Sequence, residues 1–346
     1  MSITRKFAAI DGAGVISVQE GPIPDPGPGE ILIEVRASSI SSGTELGGVK
    51  RRRENPGSSG PRPFGYQNAG DVIAKGPNVR EFQTGDRVAC MGGGYALHAT
   101  HACVPKNLSV HIPEGLSYEE AALNHLGATA LHAIRRAQLE FGENIAVFGL
   151  GTVGQFACQL AALSGAHVMG VDRLPLRLKV AKDTGTDVVV NFETEDPVKI
   201  AAEFTRGYGM DCVIMCFGGD GNAALRQITQ MMKKAPDTHI MGRVVSVSGS
   251  VSHGFGASLG NLDLRSSARP GPGYHDEEWE RGRDYPPVFV QWTTKRNIEE
   301  VLRFAAEGKL KIKPLISHQY PLDKAPEACE KIIQTPEETV AVVLKP

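Results

Sequence analysis

The stretch Gly149-Leu150-Gly151-Thr152-Val153-Gly154 follows the apolar run NIAVF and opens into QFACQLA, a helix-like segment. Glycines at these intervals suit a dinucleotide. Gly149 permits a tight turn, Gly151 lets the backbone approach a pyrophosphate, and Gly154 allows the helix to pack closely on its strand. The helix start at Thr152 and Val153 then offers unpaired N–H groups and a positive dipole end to phosphate oxygens. The next apolar run, HVMGVD, ends at Asp172, 18 residues beyond Gly154. An acid there accepts hydrogen bonds from the adenosine ribose and repels a 2′-phosphate, so the pattern reads as NAD rather than NADP. Arg173 has two readings, a solvated side chain stacked over adenine or a partner for a 2′-phosphate. Arg177, Phe217 and Ser248, on the following helix and near the ends of two later strands, complete the cofactor-binding set.

A second cluster is PFGYQNAG, residues 63–70, which sets Tyr66, Gln67 and Asn68 between glycines ahead of an apolar run. A metal site, a proton relay and a polar turn all suit these residue types. His125, in AALNHLGATALHA, is the natural acid/base by its unperturbed pKa of ~6.5. Tyr66 can donate a hydrogen bond at any physiological pH, since phenols titrate near ~10. The six cysteines form no C-x-x-C pair, which supports neither a disulfide scaffold nor a structural zinc site. Lys50-Arg51-Arg52-Arg53 reads first as a solvated face, with an acidic or phosphorylated substrate as the second reading.

These residues must be positioned by two kinds of architecture. Up to about residue 113 the chain is rich in Gly and Pro, with short strands such as ILIEVRA (31–37), AGDVIA (69–74) and DRVACM (86–91) between turn clusters. That texture predicts a compact, mostly antiparallel β unit. From Ser117, an N-cap with Glu120 completing a capping box, the spacing predicts one helix through SYEEAALNHLGATALHAIRRA. Strands NIAVFGL, HVMGVD, DVVVN, DCVIMCF and RVVSVSG then alternate with helices over 153–164, 174–184, 196–206 and 221–233. Continuous apolar strands between helices predict a parallel sheet covered on both faces, an α/β architecture.

With 346 residues, two domains are the prior. Hydrophobic residues at 41% and charged residues at 22% fit a globular protein. The formal charge of −2 argues against a nucleic-acid binder. Apolar runs fall far short of the ~20 residues of a membrane helix. The opening MSITRKFAAIDGAG lacks the apolar core of a signal peptide, which leaves a cytoplasmic location as the expectation.

The β-rich start, GDRV (85–88), EAAL (120–123) and the Gly149–Gly154 motif together resemble the medium-chain dehydrogenase/reductase superfamily across nearly the whole chain. The resemblance implies a GroES-like catalytic domain over 1–123, a doubly wound Rossmann domain over 124–290 and a return to the catalytic domain over 291–346. Zinc-dependent members carry C-G-T-D and G-H-E stretches and a third cysteine or glutamate after EAAL. Here Ser42-Gly43-Thr44-Glu45 and Gly65-Tyr66-Gln67 stand at the first two places, and His125 at or beside the third. Serine, tyrosine and carboxamide are poor zinc ligands, so the expectation is no metal. Tyr66 and His125 then become the candidate acid/base, and Thr44 keeps the hydroxyl that relays protons in zinc-dependent members.

The stretch SSARPGPGYHDEEWERGRDYPPVFVQW (266–292), with Arg269, Tyr274, His275 and Trp279, departs from the common superfamily pattern. Together with S-G-T-E and G-Y-Q it resembles a zinc-lacking subgroup that includes bacteriochlorophyllide hydroxyethyl dehydrogenase-like and sugar-modifying oxidoreductases. It reads as a substrate-side wall or as a dimer-contact loop. The resemblance thus implies an NAD-dependent dehydrogenase acting on a secondary hydroxyl or ketone of a sugar, cyclitol or glycoside. Ser42, Gln67, Asn68, Arg269, Tyr274 and His275 would pair with the hydroxyls of that small-molecule substrate, and the assembly expected is a homodimer or homotetramer. A quinone- or enoyl-reductase-like activity and a non-catalytic NAD-binding module are the alternatives.

Overall fold

Proline and glycine clusters cut the N-terminal third into short strands, as the turn chemistry requires. In the computed structural model, which describes residues 3–248, 251 and 259–346, this part comprises β1 (Ile3–Ile10), β2 (Ile16–Ile23), β3 (Glu30–Ile40), α1 (Thr44–Glu54), β4 (Arg62–Pro63), β5 (Gln67–Lys75), β6 (Arg87–Met91), β7 (His101–Pro105) and β8 (Ser109–His111). The capping box on Ser117 and Glu120 is present, but it starts only the short α2 (Tyr118–Ala121). The helix predicted as one piece restarts as α3 (Asn124–Ala137). The Asn124 carboxamide donates to the Ala121 carbonyl at 3.0 Å, a side-chain bond that competes with the backbone ladder where the break falls.

The next elements are β9 (Asn144–Phe148), α4 (Thr152–Leu163), β10 (His167–Asp172), α5 (Pro175–Asp183), β11 (Val188–Asn191), α6 (Pro197–Phe204), β12 (Cys212–Met215), α7 (Asn222–Met231), β13 (Arg243–Ser246) and β14 (Asp263–Ser266). Their six strands form one sheet in the order β11-β10-β9-β12-β13-β14, parallel throughout. Ile145, Ala146 and Val147 are fully buried, which explains why the strand reads as apolar without alternation. Strand order reverses beside β9, so the loop at its carboxyl end is the switch point where such sheets bind ligands. Gly249, the end of the expected strand RVVSVSG, lies outside the described residues.

The chain closes with α8 (Glu277–Glu280), α9 (Thr294–Ala306), β15 (Ile316–Pro321), α10 (Ala325–Gln334) and β16 (Ala341–Lys345). β16 pairs antiparallel with β3, Val342 opposite Ile40, so the C-terminal strand enters the N-terminal sheet. That sheet runs β15-β16-β3-β5-β6-β8, with β7 also on β3, beside a smaller β2-β1-β4 sheet.

Two compact units result, one of residues 1–128 and 270–346, the other of residues 129–269. The domain limits expected at 124 and 290 are corrected at both ends. Residues 124–128 belong to the first unit because Asn124 also bonds the Asn68 and Cys90 carbonyls, at 3.3 and 3.1 Å. Residues 270–290 belong there because Trp279 is fully buried and its carbonyl accepts from Asn107 at 2.7 Å. Asn297 likewise donates to the Pro270 carbonyl at 2.7 Å. Among the described residues no helix is long and apolar enough to cross a membrane.

Candidate active site

In the second unit, the glycine turn is sterically fixed. Gly149 has φ 87°, and a side chain there would come within 2.9 Å of Phe217. A Cβ at Gly154 would stand 1.9 Å from the Gly149 carbonyl oxygen, so no larger residue fits. Gly151 is the N-cap of α4, whose N-terminus brings a positive dipole end to the turn, as an anionic ligand requires. These features fit the pyrophosphate of a dinucleotide.

Asp172, 6% exposed, accepts from the Leu150 N–H at 2.7 Å through Oδ2 and from the Arg173 and Leu174 N–H groups at 2.7 and 3.0 Å through Oδ1. The carboxylate therefore ties the glycine turn to the end of β10. Arg177 lies 4.0 Å from Asp172 and within 3.8 Å of where a Gly151 side chain would be. Burial lowers the Arg177 pKa, and Asp172 opposes that shift. Arg173 points to another partner, Glu193, at 3.6 Å with both half exposed. The Ser248 hydroxyl donates to the Phe217 carbonyl at 2.9 Å and joins the ends of the two strands that carry them.

The first unit brings together Tyr66, His125, Tyr274 and His275. The rings of Tyr66 and His125 lie 4.4 Å apart, His125 meets Tyr274 edge-on at 5.8 Å, and Tyr274 stacks on His275 at 3.9 Å. Gly93 donates its N–H to the Tyr274 hydroxyl at 2.7 Å. His275 sits in the left-handed region at φ 75°, with its N–H held by Glu280 at 2.9 Å. The 266–292 stretch thus contributes two rings to the cluster, while Arg269 is the last residue of the second unit.

The Tyr66 hydroxyl stands beside those of Ser41 and Thr44. Loss of solvent, and then the nearby charge of Glu45, push its phenol pKa well above the ordinary value; Ser41 and Thr44 oppose that shift. Tyr66 stays protonated at physiological pH. Burial lowers His125 to about 4; its hydrogen bond to the Tyr66 backbone opposes this and His275 adds to it. At neutral pH the imidazole is therefore neutral, and it does not titrate there.

Some candidates have other duties. Gln67 and Asn68 are fully buried at the start of β5. Gln67 donates to the Ser39 carbonyl at 3.1 Å and accepts from the Leu126 N–H at 3.3 Å. Asn68 donates to the Leu97 carbonyl at 3.0 Å. Their assignment to substrate binding is corrected: both carboxamides satisfy backbone groups that burial would otherwise leave unpaired.

The sequence reading missed a buried pair, Glu45 and His98, 3.2 Å apart and 7% and 0% exposed. Glu45 also accepts from the Ser41 N–H at 2.6 Å, and His98 Nδ1 meets Ser38 at 2.9 Å. A cavity of about 450 Å³ is lined by Thr44, Glu45 and Tyr66 together with Arg51, Arg52 and Arg62. The donor set at the family's zinc positions does not fit the ion. Gln67 is committed to backbone and Tyr66 holds its proton, and among the described residues no three His, Cys, Asp or Glu converge on a metal position.

Two family models match the chain: an alcohol dehydrogenase GroES-like domain over residues 27–127 and a zinc-binding dehydrogenase over residues 152–281. The sorbitol dehydrogenase of Ovis aries is 27% identical over 93% of this chain and 91% of its own length. That of Bacillus subtilis (strain 168) is 27% identical over 99% of this chain and 97% of its own. Among solved structures, a Sinorhizobium meliloti 1021 dehydrogenase bound to NADP shares the fold with a TM-score of 0.77 at 23% identity, covering 99% of this chain and 100% of that one.

Proposed function

The chain belongs to the medium-chain dehydrogenase/reductase superfamily, and on that premise we propose that it is an NAD-dependent, zinc-independent oxidoreductase acting at a secondary alcohol or ketone of a polyhydroxylated substrate. The polyol class is supported by the sorbitol dehydrogenases among its relatives. The observation that carries the zinc-free reading is the protonated Tyr66 hydroxyl, which stands beside Ser41 and Thr44 on the wall of a cavity.

The Gly149–Gly154 turn would hold the dinucleotide, which when bound would accept the hydride as NAD+ and supply it as NADH. In the reductive direction the substrate carbonyl oxygen takes the proton of Tyr66, whose raised pKa keeps that proton in place until negative charge develops on the substrate oxygen. Ser41 and Thr44 return a proton to Tyr66, and Thr44 is exposed to solvent. Oxidation runs the same transfers backwards. Neutral His125 bonds the Tyr66 backbone and packs on its ring, which fixes where the hydroxyl stands.

NAD is favoured because Asp172 places a buried carboxylate at the end of β10, where a 2′-phosphate would meet its charge. A panel of pentitols, hexitols, cyclitols and their ketones, assayed with each nicotinamide cofactor, tests the reading. Turnover of none of them, or turnover of quinones and enones alone, would overturn it.

A further inference from the structure

We propose that the substrate carries a phosphate monoester, bound by Arg51, Arg52 and Arg62 in the cavity that Tyr66 and Thr44 also line. This rests on the polyol reading above and narrows its substrate class.

The Lys50–Arg53 run closes α1, and a structural use is evident for one member. Arg53 pairs with Glu330 and donates to the Gly14 carbonyl at 3.2 Å. Among the described residues, the side chains of Arg51, Arg52 and Arg62 have neither an ion-pair partner nor a hydrogen-bond partner. Cations in the last turn of a helix meet its negative dipole end, which would account for Arg51 and Arg52. It does not account for Arg62, which lies on β4, beyond the helix, and reaches the same cavity.

Gly48 also lines this cavity, and a side chain there would come within 3.2 Å of the Arg52 guanidinium. Glycine in mid-helix is otherwise unfavourable, and here it leaves that guanidinium room. Among the described residues the one acid on the wall is Glu45, whose carboxylate is met by His98 at 3.2 Å and the Ser41 N–H at 2.6 Å. The cavity therefore carries an excess of positive charge.

Guanidinium forks pair bidentately with phosphate oxygens, and a dianion with three terminal oxygens matches three forks better than a carboxylate does. A volume of about 450 Å³ accommodates a small phosphorylated polyol. One end of such a substrate would sit on the arginines and a hydroxyl-bearing carbon at Tyr66.

The test compares kcat/KM for a pentitol or hexitol, its terminal phosphate monoester and the matching aldonate. The phosphate should exceed the free polyol by on the order of 10-fold or more, and exceed the aldonate too. In the double variant Arg51→Gln, Arg62→Gln the phosphate-to-polyol ratio should fall by on the order of 10-fold. A ratio of one or below, an aldonate that outruns the phosphate, or a ratio the variant leaves unchanged would overturn the inference while the polyol reading stands. Should no polyol form turn over, that reading fails by itself, and calorimetric titration with the polyol phosphate decides the inference. Binding that the double variant weakens supports it; absent or unaltered binding refutes it.

Discussion

The rings of Tyr66 and His125 stand 4.4 Å apart at an interplanar angle of 56°, and His125 hydrogen-bonds the backbone of the same tyrosine. On the function proposed above, two residues that compete for one role in the sequence divide it. The tyrosine keeps its proton and presents the hydroxyl; the histidine stays neutral and holds the tyrosine in place.

Removal of that hydroxyl is the sharpest test of the division. Tyr66→Phe keeps the ring and its packing, and should lower kcat by ~10²–10⁴-fold, the range for loss of a positioned acid/base. NAD affinity should be nearly unchanged, since the dinucleotide turn belongs to the other unit. A variant with normal kcat in both reaction directions would show that Tyr66 only fills space.

For His125 the expectation concerns pH. Its pKa in the folded protein, about 4, is depressed from the unfolded value of 6.5. The unfolded chain therefore binds the extra proton first as pH falls. The stability linked to this group is present above pH 6.5 and is lost as pH drops toward 4, by up to about 3 kcal/mol. His125→Asn should flatten the stability profile in that window, as read by denaturant melts, and should leave the pH–rate profile between 6 and 8 unaltered in shape. A limb near neutrality that the substitution removes would make His125 the titrating group after all.

How much of this was legible depends on how local the governing physics is. Gly149 and Gly154 were readable because a turn whose Cβ would strike its own carbonyl declares itself within six residues. The parallel sheet was readable because buried strands such as NIAVF lose their alternation. Tyr274 and His275 could be nominated from an unusual turn-rich stretch, although their packing on His125 depends on contacts about 150 residues apart. The pairing of Glu45 with His98 left no mark in the sequence, because their meeting depends on how the sheet and α1 pack. Gln67 and Asn68 show the reverse error. Polar side chains beside a candidate site look functional, yet burial assigns them to unpaired backbone groups. The domain limit at 290 missed for the same reason, since Trp279 is anchored through Asn107, far away in sequence.

Cofactor choice should follow Asp172. Asp172→Ser should narrow or reverse the preference for NAD over NADP, with Arg173 exchanging its half-exposed Glu193 partner for a 2′-phosphate. The same change removes the acceptor for three backbone N–H groups. A fall in stability of about 1–3 kcal/mol should therefore accompany it. Titrations with both cofactors, alongside melts, separate the two effects. Equal affinities for NAD and NADP in the unsubstituted protein would contradict the assignment.

Hydride transfer without zinc is the central claim, and one measurement tests it most directly. Protein purified without a metal-binding tag is analysed for elements and assayed for NAD-dependent oxidation of the best polyol substrate, before and after exhaustive chelation. The account predicts far less than one zinc per chain and a rate that chelation leaves unchanged. Stoichiometric zinc, with activity lost on chelation and restored by the metal, would contradict it.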